Sequence, residues 1–269
     1  MSHPATEGNA RRRAGLTLFG IVVAVLGLTT ALVAVVVAHS APGVSSAPTR
    51  VGPAPTAPRS EDWAAAAENA LAGRPMLALP AQAAQPQVMT TQTAGPAITL
   101  PQPTLTAGRW IPGGFPASAD GALAQLKALD ETGMRGGDPQ VYARAYRELS
   151  LPGASDPGST GLFAVLRSFR SHAGLADTGI VPGLEVTYQV THGLVKGSTD
   201  TGRYAVVCVL GELSVGYQGR TISAGVGDCQ AMRQTATGWW ISPGALAAPA
   251  SSAWPGSADS VKAGYRELS

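Results

Sequence analysis

Few residues in this chain have the type and spacing to do chemistry. The two cysteines, Cys208 and Cys229, lie on either side of a Gln218-Gly219 turn. If those two residues are the centre of a two-residue hairpin turn, counting outward along both strands brings Cys208 directly opposite Cys229. That position is a non-hydrogen-bonded pair, the closer kind, and its separation suits a disulfide. A bulge at Gly211, Gly225 or Gly227 would shift the register and leave two buried thiols on opposite faces instead. Zinc is not expected from two cysteines without matching histidine spacing, and no CxxC is present.

His172 and His192 are the histidines placed to act as acid or base. His172 follows Phe169 on the inner stripe of a helix, and His192 is expected on the same strand face as Leu184 and Val190. Each has two readings, a cavity base or a histidine satisfied at the core margin. Asp228 should oppose Val209, a carboxylate on an otherwise apolar face. It is either a cavity acid with a raised pKa or a group hydrated at an edge or paired with Arg203 or Arg233. Trp239 and Trp240 should point alternately, one buried and one exposed, and Trp254 joins them as a candidate lid or interface aromatic. Ser214 lacks the flanking glycines of a nucleophile elbow, and Gly225-Val226-Gly227 lacks the strand-to-helix setting of a dinucleotide site. No catalytic residue, cofactor or metal site is therefore expected.

The elements that must hold these residues begin far upstream. Residues 14–38 are an uncharged run of Val, Leu, Ala and Ile behind Arg11, Arg12 and Arg13. About 20 such residues cross a bilayer as a helix, and the arginines keep the first 13 residues in the cytoplasm. A cleaved signal is the competing reading, but its apolar core is usually only about 7–15 residues. The expected location is thus a single-pass cell membrane protein with its C-terminal part extracytoplasmic and the lipid bilayer as its first partner. The chain has 19 basic and 17 acidic residues; without Arg11, Arg12, Arg13 and Glu7, sixteen of each remain. A neutral ectodomain is a poor footprint for direct nucleic-acid binding.

Residues 39–107 are rich in Pro, Ala, Thr, Ser and Gln. They read as a disordered extracytoplasmic linker with too little apolar bulk to offset its ordering, interrupted by one helix at 61–72 that forms only transiently. From 108 to 269 the pattern becomes periodic. Helices are expected at about 118–132, from 138, and at about 160–173, each with a cap and an apolar stripe. Alternation from Leu184 to Val190, two longer strands around Gln218-Gly219 and a short strand at Trp239-Trp240 follow. A closing helix is expected from Ser257 through Leu268. Helices followed by an antiparallel meander make an α+β fold, three helices on a curved sheet.

This order resembles the ketosteroid-isomerase-like fold, also called nuclear transport factor 2-like, whose members include periplasmic domains of conjugation and type IV secretion inner-membrane proteins. Gly114-Phe115-Pro116, Asp228-Cys229-Gln230-Ala231-Met232 and Trp254-Pro255-Gly256 are similar to the small membrane proteins of actinobacterial integrative and conjugative elements. The resemblance implies a non-enzymatic assembly or scaffolding protein whose partners are other membrane or envelope proteins, or further copies of itself. The alternatives are an extracytoplasmic enzyme or ligand-binding domain, and a cell-wall-binding module.

Overall fold

The longest unbroken pairing is the hairpin of β2 (Tyr204–Tyr217) and β3 (Arg220–Thr235), which holds register from Tyr217 opposite Arg220 to Tyr204 opposite Arg233. Gln218 and Gly219 join them with φ of 50° and 73°. Two left-handed residues make the turn whose twist matches that of paired strands. Around the hairpin lie β1 (Glu185–Thr199), β4 (Gly238–Ile241) and β5 (Arg266–Glu267), in the order β4-β3-β2-β1-β5, antiparallel throughout. The structure, a computed structural model, describes residues 60–269. Arg11, Arg12, Arg13, the apolar run at 14–38 and residues 39–59 lie outside the described residues. Among the described residues no helix is long and apolar enough to cross a membrane.

Among the described residues five α-helices accompany the sheet: α1 (Ser60–Ala72), α2 (Ala119–Gly133), α3 (Pro139–Glu148), α4 (Gly161–His172) and α5 (Ala258–Lys262). The starts of α2, α3 and α4 are set by Ser118, Asp138 and Thr160, whose side chains accept from the N–H groups of Gly121, Gln140 and Phe163. A cap of this kind is worth about 1 kcal/mol, so these boundaries are encoded locally. The main core lies between α2, α3 and α4 and one face of the sheet. Leu123, Leu126, Leu129, Leu162 and Leu166 meet Val186, Val190, Val207, Val209 and Met232 there. The α+β class and the antiparallel sheet under three helices are thus as expected.

Three expectations are corrected. Residues 64–107 are not a free linker: Leu71 and Ala72 of α1 pack on Tyr204, Val206 and Ala231, while Met76 and Leu79 pack against the patch of Cys208, Leu210 and Cys229. Glu68 pairs with Arg233 at 2.6 Å, and Ile98 donates to Glu267 O at 2.8 Å. Small and proline-rich segments bury little surface of their own, but here a preformed β surface supplies the apolar area. The prolines also reduce the entropy lost on ordering. The first part of the segment, through Leu79, is a strap over the face of the sheet turned away from α2, α3 and α4, while Ile98 further along reaches the main core. Likewise, the closing helix stops at Lys262 because Gly264 turns the chain at φ 92°. Arg266 and Glu267 then pair with Gly193 and His192 as β5.

The third correction concerns β1. Its register against β2 shifts between Val190 and His192 and again between Val195 and Gly197. A shift of one residue turns the following side chains to the opposite face. Val190 stays in the main core, whereas His192 opposes Leu210 and Leu194 opposes Cys208, residues of the strap-covered face. At the first shift, Val190 N–H donates to Glu131 Oε1 at 2.9 Å and Val190 O accepts from Lys127 Nζ at 2.8 Å, two groups on α2.

Candidate functional site

A buried polar cluster sits between α2, α3 and the hairpin. The register that pairs Cys208 with Cys229 also sets Asp228 opposite Val209, on the helix-covered face. Asp228 is 5% exposed and accepts from Gln230 Nε2 at 2.8 Å. Burial pushes its carboxyl up to about 6 from an ordinary 3.8, against the opposing pull of Gln230 and the Cys229 backbone N–H. Arg203 pairs with Asp200, and Arg233 with Glu68 and Asp200, so neither serves Asp228.

Asp130 on α2 is fully buried, and neither of its oxygens has a hydrogen-bond partner among the described residues. One turn later, Gly133 lets α3 come close: a Cβ there would lie 3.1 Å from Tyr142 Cδ2 and 3.2 Å from Ala145 Cβ. Tyr142 and Tyr146 follow one turn apart on α3, with ring centroids 6.2 Å apart. The Tyr146 hydroxyl is likewise buried and unpartnered among the described residues, and the buried Tyr142 hydroxyl has only the Thr160 side chain beside it. Burial first, then the charge on Asp228, raises the Asp130 carboxyl well above the usual range, and the same two causes raise Tyr142 and Tyr146. The two carboxyls titrate as a coupled pair, in which a charge on Asp228 disfavours ionisation of Asp130. Tyr188 closes the cluster from β1 and donates to Val226 O at 2.8 Å.

Two carboxyls and two phenols of this kind can hold and exchange protons. A crevice lined by Tyr146, Ser155, Gln230, Ile241, Ser242 and Leu246 touches the cluster at Tyr146, but it is too narrow to admit a water molecule. Among the described residues no group of three His, Cys, Asp or Glu side chains is placed to hold a metal ion.

No family model, no curated protein and no solved structure matches this chain. Its chemistry therefore has to be argued from its own residues.

The residues singled out in the sequence do not converge on this cluster, with one exception. Asp228 belongs to it. His192 does not, being carried to the strap side by the β1 register shift, where it lies 3.0 Å from Thr191 Oγ1. Partial burial lowers its pKa, opposed by Glu267. His172 is exposed at the end of α4, its Nδ1 2.8 Å from Ser168 O, so the inward placement expected for it is also corrected. Trp239 is 1% exposed, and its Nε1 donates to Pro116 O at 2.7 Å. Trp240 is half-buried and donates to Thr237 Oγ1, and Trp254 is half-buried beside the strap, its N–H donating to Ala83 O. Cys208 and Cys229 are bonded, with sulfurs 1.97 Å and Cα atoms 4.0 Å apart.

Asp130, Tyr142 and Tyr146 were the functional candidates that the sequence hid. The signal was present in α2: Asp130 falls four residues after Leu126 and seven after Leu123, a carboxylate on the apolar stripe.

The cluster predicts an unusual pH profile. A carboxyl whose folded pKa exceeds its unfolded value favours folding below the unfolded value, and that contribution is lost as pH rises through the folded one. For Asp228 the window runs from 3.8 to about 6. Asp228→Asn is therefore expected to flatten the fall in stability across that window. It should leave the protein more stable near neutral pH by on the order of 2–3 kcal/mol, measured by denaturant titration at several pH values.

Proposed function

We propose that the chain is a membrane-anchored, non-enzymatic assembly or scaffolding protein of the cell envelope. Its setting, from the resemblance noted in the sequence, is a conjugative DNA-transfer or secretion apparatus. The observation that supports the non-enzymatic reading is the closure of the polar cluster: Asp130, Tyr142, Tyr146 and Asp228 are all buried, and the crevice at Tyr146 and Gln230 leaves no room for even a water molecule. Residues 14–38 behind Arg11, Arg12 and Arg13 support the tether and its direction. The disulfide is consistent with an oxidising space outside the membrane. Apolar side chains left at the surface, Val88, Met89 and Ile180 among them, are available for contacts with other subunits.

Crosslinking in native membranes followed by mass spectrometry tests this reading. Recovery of membrane or envelope subunits of a transfer or secretion apparatus, or of crosslinked copies of the chain, is expected. Recovery of neither overturns it, as does protection of residues 60–269 from protease added to intact spheroplasts.

A second reading, an extracytoplasmic ligand-binding or enzymatic domain, draws on the unpartnered Asp130 carboxyl and the Tyr142 and Tyr146 hydroxyls. It requires the crevice to widen, and soaking with small carbonyl compounds that shift the tyrosine absorbance would favour it.

A further inference from the structure

We propose that Asp130, Asp228, Tyr142 and Tyr146 form a proton-binding site that latches α2 and α3 onto the sheet, closed when the carboxyls are protonated and loosened when Asp228 ionises. The cluster spans three elements, Asp130 on α2, the tyrosines on α3 and Asp228 on β3, so any change within it is felt across the layer boundary.

The donors and acceptors are matched but unspent. Among the described residues the Tyr146 hydroxyl has no acceptor and the two oxygens of Asp130 have no donor, while the Tyr142 hydroxyl has only Thr160 beside it, all of them fully or almost fully buried. A proton held on a carboxyl removes its charge and supplies one more O–H donor to the layer. Removing it places a bare charge in an apolar layer, where the cost is large unless the layer opens to water.

Among the described residues no side-chain cation serves. On α2, Lys127 is engaged with Glu131 and Val190 O. On α4, Arg170 spends its guanidinium on the carbonyls of Gly137, Ala176 and Gly179. From β1 the cluster meets Tyr188, already donating to Val226 O, and from β3 only the neutral Gln230. The remaining charges that reach it, Glu131 at Asp130 and Asp156 at Tyr146, are negative and reinforce proton retention. The crevice is too narrow for a hydrated ion. A proton is the one cation that fits the space and the ligands. The site would make the packing of the helical layer answer to the acidity of the compartment, independently of what the domain assembles with.

Hydrogen exchange of the full chain in detergent micelles, read by mass spectrometry, tests the latch. With exchange times scaled for the intrinsic pH dependence, peptides from α2, α3 and the Asp228 segment of β3 should exchange about tenfold faster near pH 8 than near pH 5. Peptides from α1, on the other face, should not change, and Asp228→Asn should abolish the difference. Equal protection of α2 and α3 at both pH values in the natural chain overturns the proposal, as does a difference that survives in Asp228→Asn. Should that variant fail to fold, infrared spectra of the natural chain decide. A buried protonated carboxylic acid carbonyl band at the lower pH, fading toward the higher, is expected, and no such band at the lower pH overturns the latch.

Discussion

Trp239→Ala is expected to lower the unfolding free energy by about 3–5 kcal/mol, the cost typical of deleting a fully buried large aromatic. The side chain is 1% exposed and ties two parts of the core together. It starts on β4 at the edge of the sheet and ends at the entry of α2, where Nε1 donates to Pro116 O at 2.7 Å. The entry is built around that contact: a Cβ at Gly121 would lie 3.1 Å from Nε1 and only 2.0 Å from Pro116 O. Alanine would leave a cavity under the first turn of α2 and leave Pro116 O with only the Ser118 N–H as a donor. Trp239→Phe keeps most of the ring burial and loses the hydrogen bond, so a smaller loss of about 1–2 kcal/mol is expected. Trp240→Ala, half-buried on the other face of the same strand, should cost less than about 1 kcal/mol. Denaturant titrations of the three variants give the comparison, and equal costs for Trp239→Ala and Trp240→Ala would contradict the placement of the two rings.

How much of this was legible in the sequence depended on whether a signal was local. The caps Ser118, Asp138 and Thr160, the hairpin turn and the alternation of the central strands are short-range features. They placed the main helices and β2, β3 and β4 close to where they lie. The register of the hairpin held because its glycines introduce no bulge, and with it came both the cysteine pairing and the orientation of Asp228. The bulges fell in β1 instead, where no turn counts the register, and this is why His192 was assigned to the wrong face. The strap was illegible for a different reason. Its alanines and prolines carry almost no periodicity, and their burial depends on a surface made by residues more than a hundred positions away. Asp130 shows the same limit at a single site, since its partners on α3 and β3 meet it only after the helical layer closes.

Reduction of the Cys208–Cys229 disulfide, or its replacement by Cys208→Ala with Cys229→Ala, is expected to cost about 3 kcal/mol, as the chain-entropy argument gives for a loop of this length. The two cysteines are 21 residues apart. Denaturant titration with and without reductant measures the loss. Position adds a kinetic expectation to the thermodynamic one. The sulfurs lie on the strap-covered face, 0% and 5% exposed, under Met76, Leu79, Ala253 and Tyr265. A reductant must wait for that face to open, so without denaturant reduction should be slow and independent of reductant concentration once opening limits it. Gly225→Ala supplies the control. A Cβ at that position would lie 1.8 Å from Ala253 O and 2.8 Å from Trp254 Cα, so the covering segment must move off the sheet. In that variant reduction should be faster by at least about tenfold, a change of about 1.4 kcal/mol in the opening barrier. An unchanged rate would mean that reductant enters by another route. The disulfide would then be a staple of the hairpin alone and not also a report on how firmly residues 64–107 are held.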